Sequence, residues 1–145
     1  MNFTKLTKEE QLTILANVAE DKGIVDNAVE KDYWVSMVLR AIFSLSYAAA
    51  FVFKGGTSLS KGWGLIERFS EDIDLAIDPQ YLGFKNIETK SQRTKLRKDS
   101  KKFIDGSFAL DVENRIKEFG LSESCKVIVP ETSVSDLDPV VLFVE

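Results

Sequence analysis

Asp72 and Asp74 are separated by one residue in a segment that alternates charged and apolar side chains. Ile73, Leu75 and Ile77 fill the alternate positions, so in a β-strand the two carboxylates lie on one face, with Cα atoms about 6.5–7 Å apart. Two negative charges at this spacing repel each other unless a cation lies between them. Mg²⁺ is such a cation, and it is commonly coordinated by carboxylate oxygens. The pair therefore predicts a metal site for phosphoryl or nucleotidyl transfer, or else a half-exposed strand with two solvated aspartates.

A second candidate motif, Gly55-Gly56-Thr57-Ser58, follows a short apolar run. Glycines allow a tight turn that comes close to a ligand, and the amides at the start of a helix favour an anion such as phosphate. The Thr57 or Ser58 hydroxyl could cap that helix or bind a phosphate oxygen. Lys54 and Lys61 flank the turn and could neutralise a triphosphate or be ordinary surface lysines. A plain strand-turn-helix is the alternative interpretation, and the spacing differs from that of a P-loop.

Composition limits the remaining chemistry. The 145 residues carry 19 basic and 23 acidic side chains, one cysteine (Cys125) and no histidine. Within this chain, histidine-dependent triads, histidine-ligated zinc and internal disulfides are thereby excluded. No secretory leader is apparent, and no apolar stretch approaches the roughly 20 residues of a membrane helix. We therefore expect a cytoplasmic protein with no membrane partner.

Apolar periodicity predicts an α/β (α+β) fold in which a small mixed sheet is flanked by helices and preceded by an N-terminal helical pair. Thr7 and Glu10 have the spacing of a capping box, and Gly23 is placed to end the first helix. The other predicted elements are a helix at 26–45, a strand at 48–53, a short helix capped by Thr57 or Ser58 and ending near 63, a strand at 70–77, an exposed basic helix within 85–105, a helix at 108–119, and strands at 126–129 and 140–144. One catalytic domain is expected over 1–145, with helices in 1–47 and the core in 48–145.

The order strand, Gly-Gly-Thr-Ser, helix and Asp-x-Asp strand resembles the nucleotidyltransferase superfamily with a DNA polymerase β-like core. Within that superfamily, FKGGTSLSKGWGLIERFSEDIDLAI (53–77) closely resembles the AbiEii/AbiGii family, the toxin components of type IV toxin–antitoxin and abortive-infection systems. The segment VEKDYWVSMVLRAIF (29–43) is similar to that family's N-terminal helix.

This resemblance implies roles for individual residues. Asp72 and Asp74 correspond to the metal-binding aspartates, with Mg²⁺, or Mn²⁺ in its place, as the cofactor. A third carboxylate comes from an adjacent strand in the superfamily, and Glu145, which follows the 140–144 strand, is the best candidate. The nucleotide-binding set is Gly55, Gly56, Thr57, Ser58 and Lys61.

The implied activity is transfer of a nucleotidyl group from an NTP to an acceptor hydroxyl on RNA, tRNA included, or on a protein. A cognate antitoxin is the implied protein partner. Known members are about twice as long, so we expect this chain to be the N-terminal half of a longer protein. Two alternatives are a glycosyltransferase that uses Asp-x-Asp to bind a metal and a nucleotide-sugar, and a non-catalytic module that binds an antitoxin. Convergence of Glu145 with Asp72 and Asp74 would favour the catalytic interpretation.

Overall fold

A computed structural model describes residues 3–65, 72–131 and 140–144. Its helices are α1 (Lys8–Lys22), α2 (Asp26–Phe43), α3 (Gly55–Thr57), α4 (Lys90–Phe103) and α5 (Ala109–Glu118). Its strands are β1 (Phe51–Lys54), β2 (Asp74–Ile77), β3 (Val127–Ile128) and β4 (Phe143–Val144). Short 3₁₀ turns occupy Phe3–Lys5 and Ala48–Ala50, and π-helical turns occupy Ser58–Gly62 and Ile104–Phe108. None of the helices in these ranges has the length and apolar character that crossing a membrane requires.

The strands confirm the predicted mixed α/β class, and in the described ranges they form two separate two-stranded sheets. β3 and β4 pair antiparallel, with Val127 opposite Val144 and Ile128 opposite Phe143. β1 pairs with β2. The amide of Asp78 donates to the Ala50 carbonyl at 2.7 Å, before β1 and after β2, so this pair also runs in opposite directions. The end of β1 therefore meets the start of β2, where the two candidate motifs lie.

The chain divides into two compact units. The first comprises Met1–Arg40 and Phe53–Leu75, and the second comprises Ala41–Val52 and Ala76–Glu145. All the candidate site residues except Glu145 belong to the first unit, so their mutual geometry is set within one compact part of the chain.

The first unit begins with the predicted capping box, which is confirmed. The Glu10 carboxylate accepts a 2.8 Å hydrogen bond from the Thr7 amide, and the Thr7 hydroxyl accepts one from the Glu10 amide at 3.3 Å. The bond from the Thr7 amide stabilises the ionised carboxylate and lowers the pKa of Glu10. Gly23 ends α1 in the left-handed region, with φ +65°, as its position predicted. The buried apolar residues of this unit are Leu15, Ala19, Val35 and Val38.

The second unit packs around aromatic rings. Phe51 and Phe108 lie 4.8 Å apart between ring centroids, and the Tyr47 and Phe103 rings are 5.6 Å apart in an edge-on arrangement. The Tyr47 hydroxyl donates to Asp111 Oδ2 at 2.6 Å, so its polar end is satisfied at the edge of this cluster. Helix α4 has no buried residue, which confirms the exposed basic helix predicted within 85–105.

Several predicted boundaries were wrong around the glycine turn. The strand predicted at 48–53 is shorter than expected: residues 48–50 form a 3₁₀ turn, and β1 begins at Phe51. The helix after β1 begins at Gly55, with Lys54 as its N-cap and no side-chain cap. Thr57 and Ser58 therefore lie inside the helical segment and cap nothing. The strand predicted at 70–77 is observed as β2 from Asp74 onward, and residues 72–73 are not in a strand. Residues 70–71 lie outside the described residues.

We expect Tyr47→Phe to lower the free energy of unfolding by about 1 kcal/mol, because the ring packing remains and one charge-assisted hydrogen bond is lost. Burial and the bond to Asp111 raise the pKa of Tyr47 above its ordinary value of 10.0. The folded state thus retains this proton at a pH where the unfolded chain releases it, and the contribution is complete below about pH 10 and falls as the pH rises above it. Urea unfolding at pH 8 and at pH 10.5 measures both effects.

Tyr81→Phe is the matched control, because Tyr81 belongs to the same cluster and its hydroxyl has no hydrogen-bond partner among the described residues. Equal losses in the two variants would contradict a stabilising bond between Tyr47 and Asp111.

Candidate active site

The two candidate motifs meet because β1 and β2 are paired. The glycine turn leaves the end of β1 at Lys54, and Asp74 opens β2 while Asp72 lies two residues before it. Both aspartates are exposed, and Leu75 is half-buried. The predicted alternation holds only in part: Asp72 and Asp74 are exposed and Ile73 and Leu75 are half-buried, but Asp72 precedes the strand, and burial does not alternate within β2.

Gly55 is the point at which the turn touches the Asp-x-Asp segment. A Cβ atom at this position would overlap Asp74 Oδ2 and lie 2.9 Å from Asp74 Cγ. The backbone at Gly55 also has φ +76°, a conformation that L-residues with side chains rarely adopt. The positive φ favours glycine at this position, and the contact with Asp74 is a second constraint, because the carboxylate would have to shift to admit a Cβ atom.

The Thr57 hydroxyl joins the same two segments from inside the protein. Thr57 is 1% exposed, and its Oγ1 donates to the backbone carbonyl of Asp72. Ser58 is 6% exposed, and its Oγ donates to the Phe53 carbonyl at 3.1 Å. Buried hydroxyls need such partners, because an unpaired polar group is costly away from water. In this arrangement the two hydroxyls hold the turn against β1 and the aspartate segment.

The turn continues into a π-helical segment. The Trp63 amide donates to the Ser58 carbonyl at 3.2 Å, which is the i to i+5 spacing of a π-helix. π-Helical turns are rare in proteins overall, but those that occur are often found at functional sites. The first amides of a helical segment have no acceptor within the helix, and the predicted phosphate contact at Gly55 and Gly56 stays a prediction.

Lys61 lies on this π-helical turn, and its ammonium is already engaged. Lys61 Nζ lies 2.7 Å from Asp32 Oδ1 and donates to Ser36 Oγ at 2.9 Å. Asp32 and Ser36 are one helical turn apart on α2, so they present both acceptors on one face. Sequence reasoning favours a solvated helix position for Asp32, and helical spacing alone gives no signal for its ion pair with Lys61.

Asp72 and Asp74 supply only hard oxygen donors, the ligand type that Mg²⁺ and Mn²⁺ accept, and their exposure leaves them open to a metal-bound nucleotide. This donor set fits the implied cofactor. In the described part of the chain, no group of three or more acidic, histidine or cysteine residues is clustered for metal binding. Glu145, the predicted third carboxylate, lies outside the described residues, and its role stays a prediction.

A family model built from known proteins matches the part of the chain that contains the candidate site. The family model described as nucleotidyl transferase AbiEii toxin, type IV toxin–antitoxin system, matches residues 38–133, which contain the glycine turn and both aspartates. The match covers more than half of the 145 residues, so the chain belongs to this family of nucleotidyltransferase toxins. No curated protein and no solved structure gives a significant match.

We expect Gly55→Ala to destabilise the protein more than Gly64→Ala. Gly64 has φ +61° with nothing within 4 Å of an added Cβ, so its variant measures the backbone strain alone, about 1–2 kcal/mol. Gly55→Ala adds the collision with Asp74. Urea unfolding compares the two variants, and Asp74→Ala in the Gly55→Ala background should recover the difference. Equal losses for the two glycine variants would show that the Asp74 side chain does not resist a Cβ atom at Gly55.

We expect Thr57→Val to lower the free energy of unfolding by about 1–3 kcal/mol, because it leaves the Asp72 carbonyl without its buried donor. Nucleotide transfer should fall as well, since Asp72 is then less firmly placed. Thr57→Ser retains the hydroxyl and should retain most activity. Thr13→Val is the stability control, because Thr13 makes an exposed bond to the Glu9 carbonyl. If Thr57→Val were as active as Thr57→Ser, the hydroxyl would have no positioning role.

Proposed function

We propose that this chain of the AbiEii family transfers a nucleotidyl group from an NTP to an acceptor hydroxyl in a reaction that depends on Mg²⁺, with Mn²⁺ as a substitute. The acceptor oxygen forms a bond to the α-phosphorus of the NTP. The bond between the α-phosphorus and the bridging oxygen of the β-phosphate breaks, and pyrophosphate leaves. The nucleotidyltransferase activity follows from the family; the metal, the NTP and the acceptor are parts of the proposal.

The observation that supports this proposal most directly is the contact of Gly55 with Asp74. It sets the backbone of a glycine turn against a carboxylate of the Asp-x-Asp pair. The Thr57 hydroxyl ties the same turn to Asp72. A polyphosphate needs amide donors along its oxygens and a cation to offset its charge, and this arrangement offers an amide-lined turn next to metal-binding oxygens.

The residues divide between two tasks. The backbone of the Gly55–Ser58 turn would bind the β- and γ-phosphates, and the hydroxyls of Thr57 and Ser58 hold the turn in place. Asp72 and Asp74 would hold the metal, which when bound neutralises the triphosphate and the pyrophosphate leaving group. Glu145 would complete the ligand set or accept the proton of the attacking hydroxyl.

The acceptor is proposed to be an RNA, such as tRNA, or a protein, and the cognate antitoxin is proposed to control the activity. Incubation with labelled NTPs and total cellular RNA or protein, followed by separation of the two pools, identifies the labelled acceptor. Label in neither pool, with each of the four NTPs and either metal, would argue against transfer and for a non-catalytic module that binds an antitoxin.

We expect NTP binding to require Mg²⁺ and both aspartates. Asp72→Asn and Asp74→Asn preserve side-chain size and remove the negative charges that hold the metal, so each should weaken binding of the magnesium–NTP complex by about tenfold or more. Isothermal titration calorimetry with and without Mg²⁺ measures the affinity. A nucleotide-sugar titrated in parallel tests the glycosyltransferase alternative, which its tighter binding would support.

Asp78→Asn is the matched control for charge. The Asp78 carboxylate follows β2 and accepts from the Gln80 amide at 2.9 Å, a bond that asparagine also makes. Its variant should bind the NTP as the wild type does. Glu145→Gln should reduce turnover more than NTP affinity if Glu145 assists the attacking hydroxyl. Identical binding by wild type, Asp72→Asn and Asp74→Asn would refute the proposed metal site.

A further inference from the structure

The ion pair of Lys61 with Asp32 joins segments that are far apart in the chain. Lys61 Nζ lies 2.7 Å from Asp32 Oδ1 and 2.9 Å from Ser36 Oγ, and Lys61 and Ser36 are 25 residues apart in sequence. The Ser36 hydroxyl donates in turn to the Asp32 backbone carbonyl at 2.8 Å. Serine therefore accepts from the ammonium and donates to the helix, and both of its hydrogen-bonding functions are used.

The Lys61 side chain is more covered than the side chains of the ion pairs on α5, whereas Asp32 is about as exposed as they are. The Lys61 side chain is only 22% exposed, and Asp32 is 47% exposed. The pairs Lys117–Glu113 and Arg115–Glu118 link residues within one turn of α5, and the exposures of their side chains range from 35% to 60%. Pairs of that kind add little to stability, whereas a largely covered ammonium that spans two segments restricts how those segments can move.

We propose that Asp32 and Lys61 form a positioning pair that holds the glycine turn in its nucleotide-binding conformation. Lys61 lies in the π-helical turn that directly continues the Gly55–Thr57 segment. Anchoring Lys61 to α2 fixes the far end of this helical stretch, and Thr57 fixes its near end to the Asp72 carbonyl. This inference rests on the proposed function, because the turn it positions is the proposed phosphate site.

Direct contact of Lys61 with the triphosphate is the competing role, and it predicts the opposite response at Asp32. If Lys61 were a phosphate ligand, Asp32→Asn would release its positive charge and strengthen NTP binding, since a neutral amide no longer offsets the ammonium. If the pair positions the turn, Asp32→Asn loosens the turn and weakens NTP binding. The sign of the change at Asp32 separates the two roles.

The experiment measures NTP affinity, KM and kcat for Asp32→Asn, Lys61→Met and the double variant, with Lys61→Arg as the conservative replacement. We expect each single variant to weaken NTP binding by about tenfold and to reduce kcat as well, and the double variant to be no worse than either single one, because both remove the same interaction. Lys61→Arg should restore most of the affinity, since guanidinium also pairs with Asp32. Hydrogen exchange of the peptide that covers 55–62 should be faster in both single variants.

Lys101→Met is the matched control, because Lys101 is 23% exposed and pairs with Asp105, four residues later in the second unit. It should leave NTP affinity and exchange at 55–62 unchanged. Tighter or unchanged NTP binding by Asp32→Asn, or strictly additive losses in the double variant, would overturn the positioning role. Absence of NTP binding by the wild type would overturn the proposed function alone. In that case unchanged exchange at 55–62 in both single variants would still refute the pair's role, and faster exchange would support it.

Discussion

The close approach of Gly55 to the Asp74 carboxylate is the constraint on which the candidate site depends. Any side chain at Gly55 would occupy the space of Asp74 Oδ2, and the backbone there is already in the left-handed region. Because β1 and β2 run in opposite directions, the turn that leaves one strand must pass the first residue of the other. The contact is therefore a consequence of strand pairing, and it makes one site of two motifs that are separated in sequence.

Buried hydroxyls maintain that contact. Thr57 and Ser58 have the residue types of a phosphate-binding motif, yet their side chains point into the protein and donate to backbone carbonyls. A hydroxyl that donates to a buried carbonyl cannot donate the same proton to a phosphate. Lys61 makes a third attachment, to α2, and the turn is thereby held from three directions.

Local signals in the sequence predicted much of the fold. The Thr7–Glu10 capping box and the αL glycine at Gly23 depend on residues within a few positions of one another, and both were found. The exposed basic helix was also predicted, because its apolar residues are few and its charged residues are many. The start of the helix at Gly55 was not predicted: serine and threonine normally favour the N-cap, but here the packing of Thr57 against the Asp72 segment places them inside the helix.

By itself, the sequence determined which chemical groups are present: no histidine, two aspartates one residue apart, and a glycine turn after a short apolar segment. It also determined the elements that carry them, since helical and strand periodicities are local properties of the chain. Only the tertiary structure decided that Gly55 meets Asp74, that Thr57 donates to Asp72, and that Lys61 pairs with Asp32. Each of these contacts joins residues at least fifteen positions apart. Which residues meet in these contacts depends on how whole strands and helices pair and pack, and no local sequence pattern specifies that.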